Sequence, residues 1–459
     1  MHRAFLIGSA VARRVSRAVV KPKPPNPPAS EIEQDQASGL YLVCAVEMCE
    51  RLGSAMVFCL LVLYLNEHLG LGTGWAARTT SYLHMLSYAA AIPGGMLGDR
   101  RLGARSAALL GLALLALGYS TLACVQRSPV GLLIATFCAV AGSGLFKPNC
   151  TALVGALYEP GHPRRGKAFY WFYYAINLGS MVAPCVGGIV RAALGWEAMF
   201  RLAAGFIVLA WGLLALGSSY LSNGARRSEA TLTKPVELLY SMSQTQAGAS
   251  RTGALIFVLS VLAIFGAVLS QGYGTLLLWA RDDARRSVLG YVIPPDFFAA
   301  LPAVFVLLCG PLLESCTQAL AARGIRIGDS QKFTLGMLLC ALAYSLMLAA
   351  SLFPSGSEQA SPLWLVGCKI ALALGELLGV PVALALAESL ARARTKGLTL
   401  GLSYGAHALG FWLGGEVSAL WPRCSHAVFF ALLAGGCLGS AVMIYAQSPR
   451  LARVLTLRQ

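Results

Sequence analysis

Charge is scarce in this chain: Asp, Glu, Lys and Arg make up only 12% of its 459 residues, about half the share of a soluble globular domain. Acid is scarcer still, with 20 Asp and Glu against 36 Lys and Arg, a formal net charge of +16. The basic excess does not form a nucleic-acid surface. It falls in short clusters between apolar blocks and not along one stripe with interleaved aromatics. The 13 cysteines lie mostly inside apolar blocks without metal-type spacing, so neither a disulfide framework nor a metal site is expected. A catalytic cluster is missing too: no metal set, activated Ser or Cys, or phosphate loop can be picked out, which argues against an enzyme. Residues 1–38 hold no spanning segment. Their Arg-rich start (Arg3, Arg13, Arg14, Arg17) and the proline-rich Lys21 to Pro28 stretch read as a cytoplasmic tail.

What the chain does have is apolar length. Hydrophobic residues make up 57% of it and mean hydropathy is +0.65, which points to a polytopic membrane protein. A spanning helix needs about 20 apolar residues. Blocks of that kind lie near 40–65, 79–98, 105–125, 129–156, 169–190 and 200–221. A second set follows near 254–278, 297–320, 332–353, 362–388, 397–420 and 426–447. The expected organisation is a tail (1–38), a six-helix half (39–221), a polar linker (222–253), a second six-helix half (254–448) and a short tail (449–459). Basic clusters at Arg100–Arg101–Arg105, Arg164–Arg165–Lys167, Arg226–Arg227–Lys234 and Arg392–Arg394–Lys396 all fall on one side of such a layout, together with both termini. The positive-inside rule places that side in the cytoplasm. Arg281 to Arg286 falls on the other side, but Asp282 and Asp283 accompany it.

The first apolar block is interrupted by Glu47-Met48-Cys49-Glu50-Arg51. On a helix these three charges share a face, and Glu47 sits one turn before Arg51, the favoured order for an ion pair. A charge at mid-membrane depth costs roughly 2.5–3.5 kcal/mol on insertion scales, so this face must turn inward, toward a cavity or a polar partner. Lys147 lies deep in the fourth block and needs a carboxylate, for which Glu47 or Glu50 is the natural candidate. Pro148 beside it leaves the carbonyl of Gly144 free and predisposes the helix to bend.

Several stretches then match one family in order and spacing. They are Glu47, Glu50 and Arg51; Gly94-Gly95-Met96-Leu97-Gly98-Asp99-Arg100; Gly142-Ser143-Gly144-Leu145-Phe146-Lys147-Pro148-Asn149; Phe172-Tyr173-Tyr174-Ala175-Ile176-Asn177; and, more weakly, Gly375-Glu376-Leu377. From Gly39 onward the chain resembles the proton-dependent oligopeptide transporter family, within the major facilitator superfamily. The resemblance implies an all-α membrane protein with twelve helices in two six-helix halves. It also implies proton-coupled symport of di- or tripeptides or peptide-like metabolites by alternating access. Glu47, Glu50, Arg51 and Lys147 would couple protons; Tyr88, Asn177, Gln271 and Glu376 would line the substrate pocket, Glu376 toward a peptide amino group; Asp99 and Arg100 would gate. Protons are the coupling ion and no cofactor is implied. The expected partners are a small peptide-like substrate and the bilayer of a plasma or bacterial inner membrane. The rival reading is a non-transporting receptor or scaffold on the same fold.

The departures from the family fall in the pocket. Ser54, Ala55 and Phe58 stand where aromatic and basic residues are usual, Ser270-Gln271 replaces a Glu-Gln pair, and Ser403 stands for a tryptophan. With Phe58 in place of an arginine, discrimination for a free peptide carboxyl terminus is expected to weaken.

Overall fold

The computed structural model describes residues 29–124, 128–158, 162, 164–221, 246–288, 290–325, 327–352, 359–390 and 396–456. Residues 1–28 of the expected tail and most of the central linker lie outside these. Twelve helices cross the molecule among the described residues. α1 (Ala29–Leu63) ends in a π turn, Tyr64–His68; α2 (Thr73–Leu97) ends in another, Gly98–Leu102; α3 (Ala104–Cys124) and α4 (Pro129–Leu157) follow. A continuous helical stretch, Arg165–Leu216, is broken at Gly195, whose φ is 85°. We treat its two parts as α5 (165–194) and α6 (196–216). The second half comprises α7 (Gln246–Ser270, resuming over Thr275–Asp282), α8 (Phe297–Ala322), α9 (Asp329–Leu352), α10 (Pro362–Leu390), α11 (Lys396–Ser418) and α12 (His426–Thr456).

The architecture agrees with the expected two six-helix halves; several boundaries differ. α1 starts at Ala29, inside the stretch 1–38 expected to be tail, and α12 runs to Thr456, past the expected end of the second half at 448. α7 starts at Gln246, inside the stretch expected to be linker, and breaks over Gln271–Tyr273 before resuming. A two-residue hairpin, Ser287–Val288 with Tyr291–Val292, turns through Gly290 between α7 and α8. α2 begins six residues earlier than its apolar block, because its first turns are polar. Nine stretches among the described residues are long and apolar enough to cross a bilayer; α2 is not among them. Its polar residues Arg78, Thr80, Ser81 and His84 are instead half-buried or buried inside the protein. Large exposed apolar side chains such as Leu133, Phe137, Leu308, Leu312 and Val442 are the surface expected to meet lipid. The chain is a multi-pass membrane protein.

Glycines set how closely the helices approach. A Cβ at Gly94 of α2 would strike the Gly144 backbone of α4, and one at Gly98 would strike the Asn149 side chain. Asn149 Nδ2 donates to the carbonyls of Gly94 (3.1 Å) and Leu145 (2.7 Å). The two glycine-containing motifs of α2 and α4 therefore pack against each other, and Lys147 of α4 comes to lie over Tyr88 of α2.

Contacts between the halves concentrate on the face away from the basic loops. There Arg78 of α2 grips both carboxylate oxygens of Glu416 in α11, 2.7 Å each, and the Tyr82 hydroxyl also donates to Glu416. Arg191 of α5 bridges Asp296 (2.8 Å), just before α8, and Glu67 (2.9 Å). Arg281 reaches across to Asn66 Oδ1 at 2.6 Å and to Glu67 at 3.5 Å. On the opposite face no ion pair joins the halves among the described residues. The molecule is shut at the Glu67–Arg191–Asp296 face.

Candidate functional site

Between the halves, polar and aromatic side chains of α1, α2, α4, α5, α7, α10 and α11 come together in one site. Its charged floor is the α1 triplet. Arg51 pairs with Glu47 at 3.2 Å and with Glu50 at 2.6 Å, and both glutamates are buried. Helical spacing brings the three together as expected. The sequence did not single out the support behind Glu50. Ser54, one turn along α1, donates to Glu50 Oε1 at 2.7 Å, and the buried Tyr119 hydroxyl of α3 donates to Ser54 at 2.9 Å. The i, i+4 spacing of Glu50 and Ser54 was the available signal; Tyr119, on a different helix, had none.

Lys147 differs from expectation. It lies within electrostatic range of Glu47, Glu50 and Arg51 but forms no ion pair with either glutamate, both of which pair with Arg51. Its Nζ instead sits over the rings of Tyr88, 5.3 Å from the centroid, and Phe58, 6.0 Å, a cation–π arrangement. Two carboxylates and two cations thus share one site, with one cation held in reserve.

Tyr88 also stacks on His407 (5.4 Å) and Phe411 (5.3 Å) of α11. His84 stacks on Phe411 and Tyr273 and tilts against Phe58. The two histidines are thus parts of an aromatic column bridging the halves, consistent with packing positions. Glu376 on α10 lies within electrostatic range of Tyr88, Tyr173 and Tyr273 and makes no ion pair among the described residues. Asn177 donates to the Tyr173 carbonyl at 2.9 Å, which places it next to that tyrosine.

Gln271 is placed differently from the other pocket candidates. Its amide donates to the Gly414 carbonyl at 3.0 Å, and its Oε1 accepts from Thr275 (2.9 Å) and Ser418 (3.0 Å). Fully buried, it ties the break in α7 to α11 and leaves no group for a ligand. Asp99 and Arg100 are exposed on the π turn after α2 and make no ion pair among the described residues. One further charged residue, unremarked in the sequence, is Lys369 on α10, with only 2% of its surface exposed. Its Nζ donates to the Gly272 carbonyl at 3.2 Å.

A family model described as the POT family matches residues 105–256 and 228–429, spanning most of both halves. The chain belongs to the POT family. Among its relatives, the peptide transporter YePEPT of Yersinia enterocolitica is 29% identical, over 85% of this chain and 91% of that one. The dipeptide and tripeptide permease B of Salmonella typhimurium is 26% identical, over 83% and 86%. The crystal structure of peptide transporter POT in complex with sulfate superposes with a TM-score of 0.83 at 25% identity, covering 92% of this chain and 99% of that one. A POT family transporter in complex with 5-aminolevulinic acid, 23% identical, shares the fold with a TM-score of 0.81, over 90% and 96%. The family is one of transporters, not enzymes.

Proposed function

We propose that this POT family member is a proton-coupled symporter of di- and tripeptides or closely related amine-bearing compounds. The names of its relatives, peptide transporter and dipeptide and tripeptide permease, support the substrate class. The observation that carries the coupling is the site shared by Glu47, Glu50, Arg51 and Lys147, in which Arg51 holds both carboxylates while Lys147 rests on aromatic rings. Protonating one glutamate frees Arg51 from it, and deprotonation recruits a cation again. The pairing pattern, and with it the packing of α1 against α4, then depends on the bound proton. Buried ion pairs stabilise little compared with apolar packing, so a four-charge cluster at the half interface fits a switch better than a brace. Alternating access would rock the two halves about the cavity, the Arg78–Glu416 and Arg191–Asp296 pairs breaking as the shut face opens. Asp99 and Arg100, on the other face, are our candidates for the reciprocal closure. The basic loops and both termini are assigned to the cytoplasm of the bacterial inner membrane or its equivalent.

The test is peptide uptake into proteoliposomes under an imposed proton gradient. Wild-type protein should accumulate peptide, and a protonophore should abolish the accumulation. Glu50→Gln, whose amide cannot release a proton, should lose gradient-driven accumulation at least tenfold while keeping peptide exchange at equilibrium. Lys147→Ala should behave alike. Wild-type accumulation in both variants would rule the switch out.

A further inference from the structure

Four of the charges between the halves balance one another: the buried Glu47 and Glu50 against the half-buried Arg51 and Lys147. Two more do not. Among the described residues Glu376 has no cation in range and Lys369 no carboxylate; the groups that act on Lys369 electrostatically are Cys368 and Cys59. Both belong to α10 and are seven residues apart, so they share a face, about 10.5 Å apart along the axis. Lys369 has three donors, and the structure gives it one acceptor, the Gly272 carbonyl freed where α7 breaks. Gly272 adds no side chain there, and a Cβ at that position would come 3.4 Å from the Lys369 Nζ. One carbonyl does not offset the removal of a full charge from water. Capping the broken end of α7 explains the single bond but not the choice of a lysine, since the helix-end field is a small effect.

We propose that Lys369 receives the carboxylate of a zwitterionic ligand whose amino group lies at Glu376, so that α10 alone reads both ends of the substrate. The proposal rests on the peptide reading above and deepens it. Fully extended, two residues span about 7 Å and three about 10–11 Å, which matches the axial separation once the lysine and glutamate arms lean inward. One zwitterion neutralises both unbalanced charges. In this structure the Nζ is closed in by α7 and by the α1 segment around Cys59, which belongs to the other half. The carboxylate therefore enters when the halves part on the face that is shut here. Phe58 in place of an arginine predicts indifference to carboxyl amidation; Lys369 predicts the opposite.

The experiment compares trialanine and alanyl-phenylalanine, each as free acid and as carboxyl amide, as competitors in proteoliposome counterflow. Counterflow lets the protein sample both faces. In wild-type protein the acids should compete at least tenfold better than the amides. Lys369→Met should bring that ratio to about one by weakening the acids, and Lys369→Arg should keep an acid preference. Equal competition by acid and amide in wild-type protein overturns the proposal even if Lys369→Met fails to fold. So does an acid preference that survives in Lys369→Met but disappears in Lys147→Met, which would assign the carboxylate to α4. If neither acids nor amides compete, the peptide reading falls and this inference with it; competition by amides without acid preference sinks the inference alone.

Discussion

Ser54 occupies a position where the family pattern has a pocket residue, and here it has a different task. It passes the Tyr119 hydroxyl's hydrogen bond on to Glu50, anchoring the carboxylate from the side opposite Arg51. Removing the hydroxyl strands two buried polar groups at once. Ser54→Ala should therefore lower stability by about 1–3 kcal/mol, read as the denaturation midpoint of purified protein, and Ser54→Thr should restore most of it. No loss in the alanine variant would mean that water replaces the hydroxyl. At this scale the sequence was informative wherever partners lie one turn apart on one helix. Glu47, Glu50 and Arg51 could be paired by counting. Lys147 could be recognised as deep and charged, but its true neighbours, the Tyr88 and Phe58 rings, come from two other helices. Lys369 passed unnoticed because a single lysine in an apolar block near a helix start reads as one that reaches out to the membrane surface. Only the break in α7 reveals that it points inward.

Elements were legible to the extent that they are apolar. Ten of the twelve helices could be bounded to within about eight residues by hydropathy, α1 starting 11 residues before its block and α12 ending nine after, whereas Arg165–Leu216 reads as two spans although only Gly195 interrupts it. The polar start of α2 was cut short for the same reason: its Arg78 and Thr80 do not look like a membrane span until α11 is seen beside them. The break in α7 was invisible because Gly272 and Gly274 are two among 49 glycines, and only Gln271 bonding to α11 distinguishes them. Close packing of α2 on α4 can be tested directly. Gly94→Val drives a side chain into the Gly144 backbone and should yield little folded protein on size-exclusion chromatography. Gly95→Ala, one residue on, meets Pro148 at no closer than 3.4 Å and should fold and transport like wild type. Equal behaviour of the two variants would remove the α2–α4 seam as the reason for the glycine motif.

For the whole molecule, charge alone gave an expectation for the side of the basic loops but none for the face on which the halves close, because each closing pair joins residues more than 100 positions apart. A cysteine introduced at Ser228, in the linker outside the described residues, should escape a membrane-impermeant thiol reagent in intact cells and react after permeabilisation. The reverse result would turn the molecule over and put the shut face in the cytoplasm. α2 adds a consequence for how such a molecule is made. A helix carrying Arg78 in its second turn leaves the translocation machinery before Glu416, 338 positions on, is synthesised. Until α11 arrives, Arg78 is without its carboxylate partner. The pair proposed to open and close during transport is thus also one that only the arrival of α11 can complete.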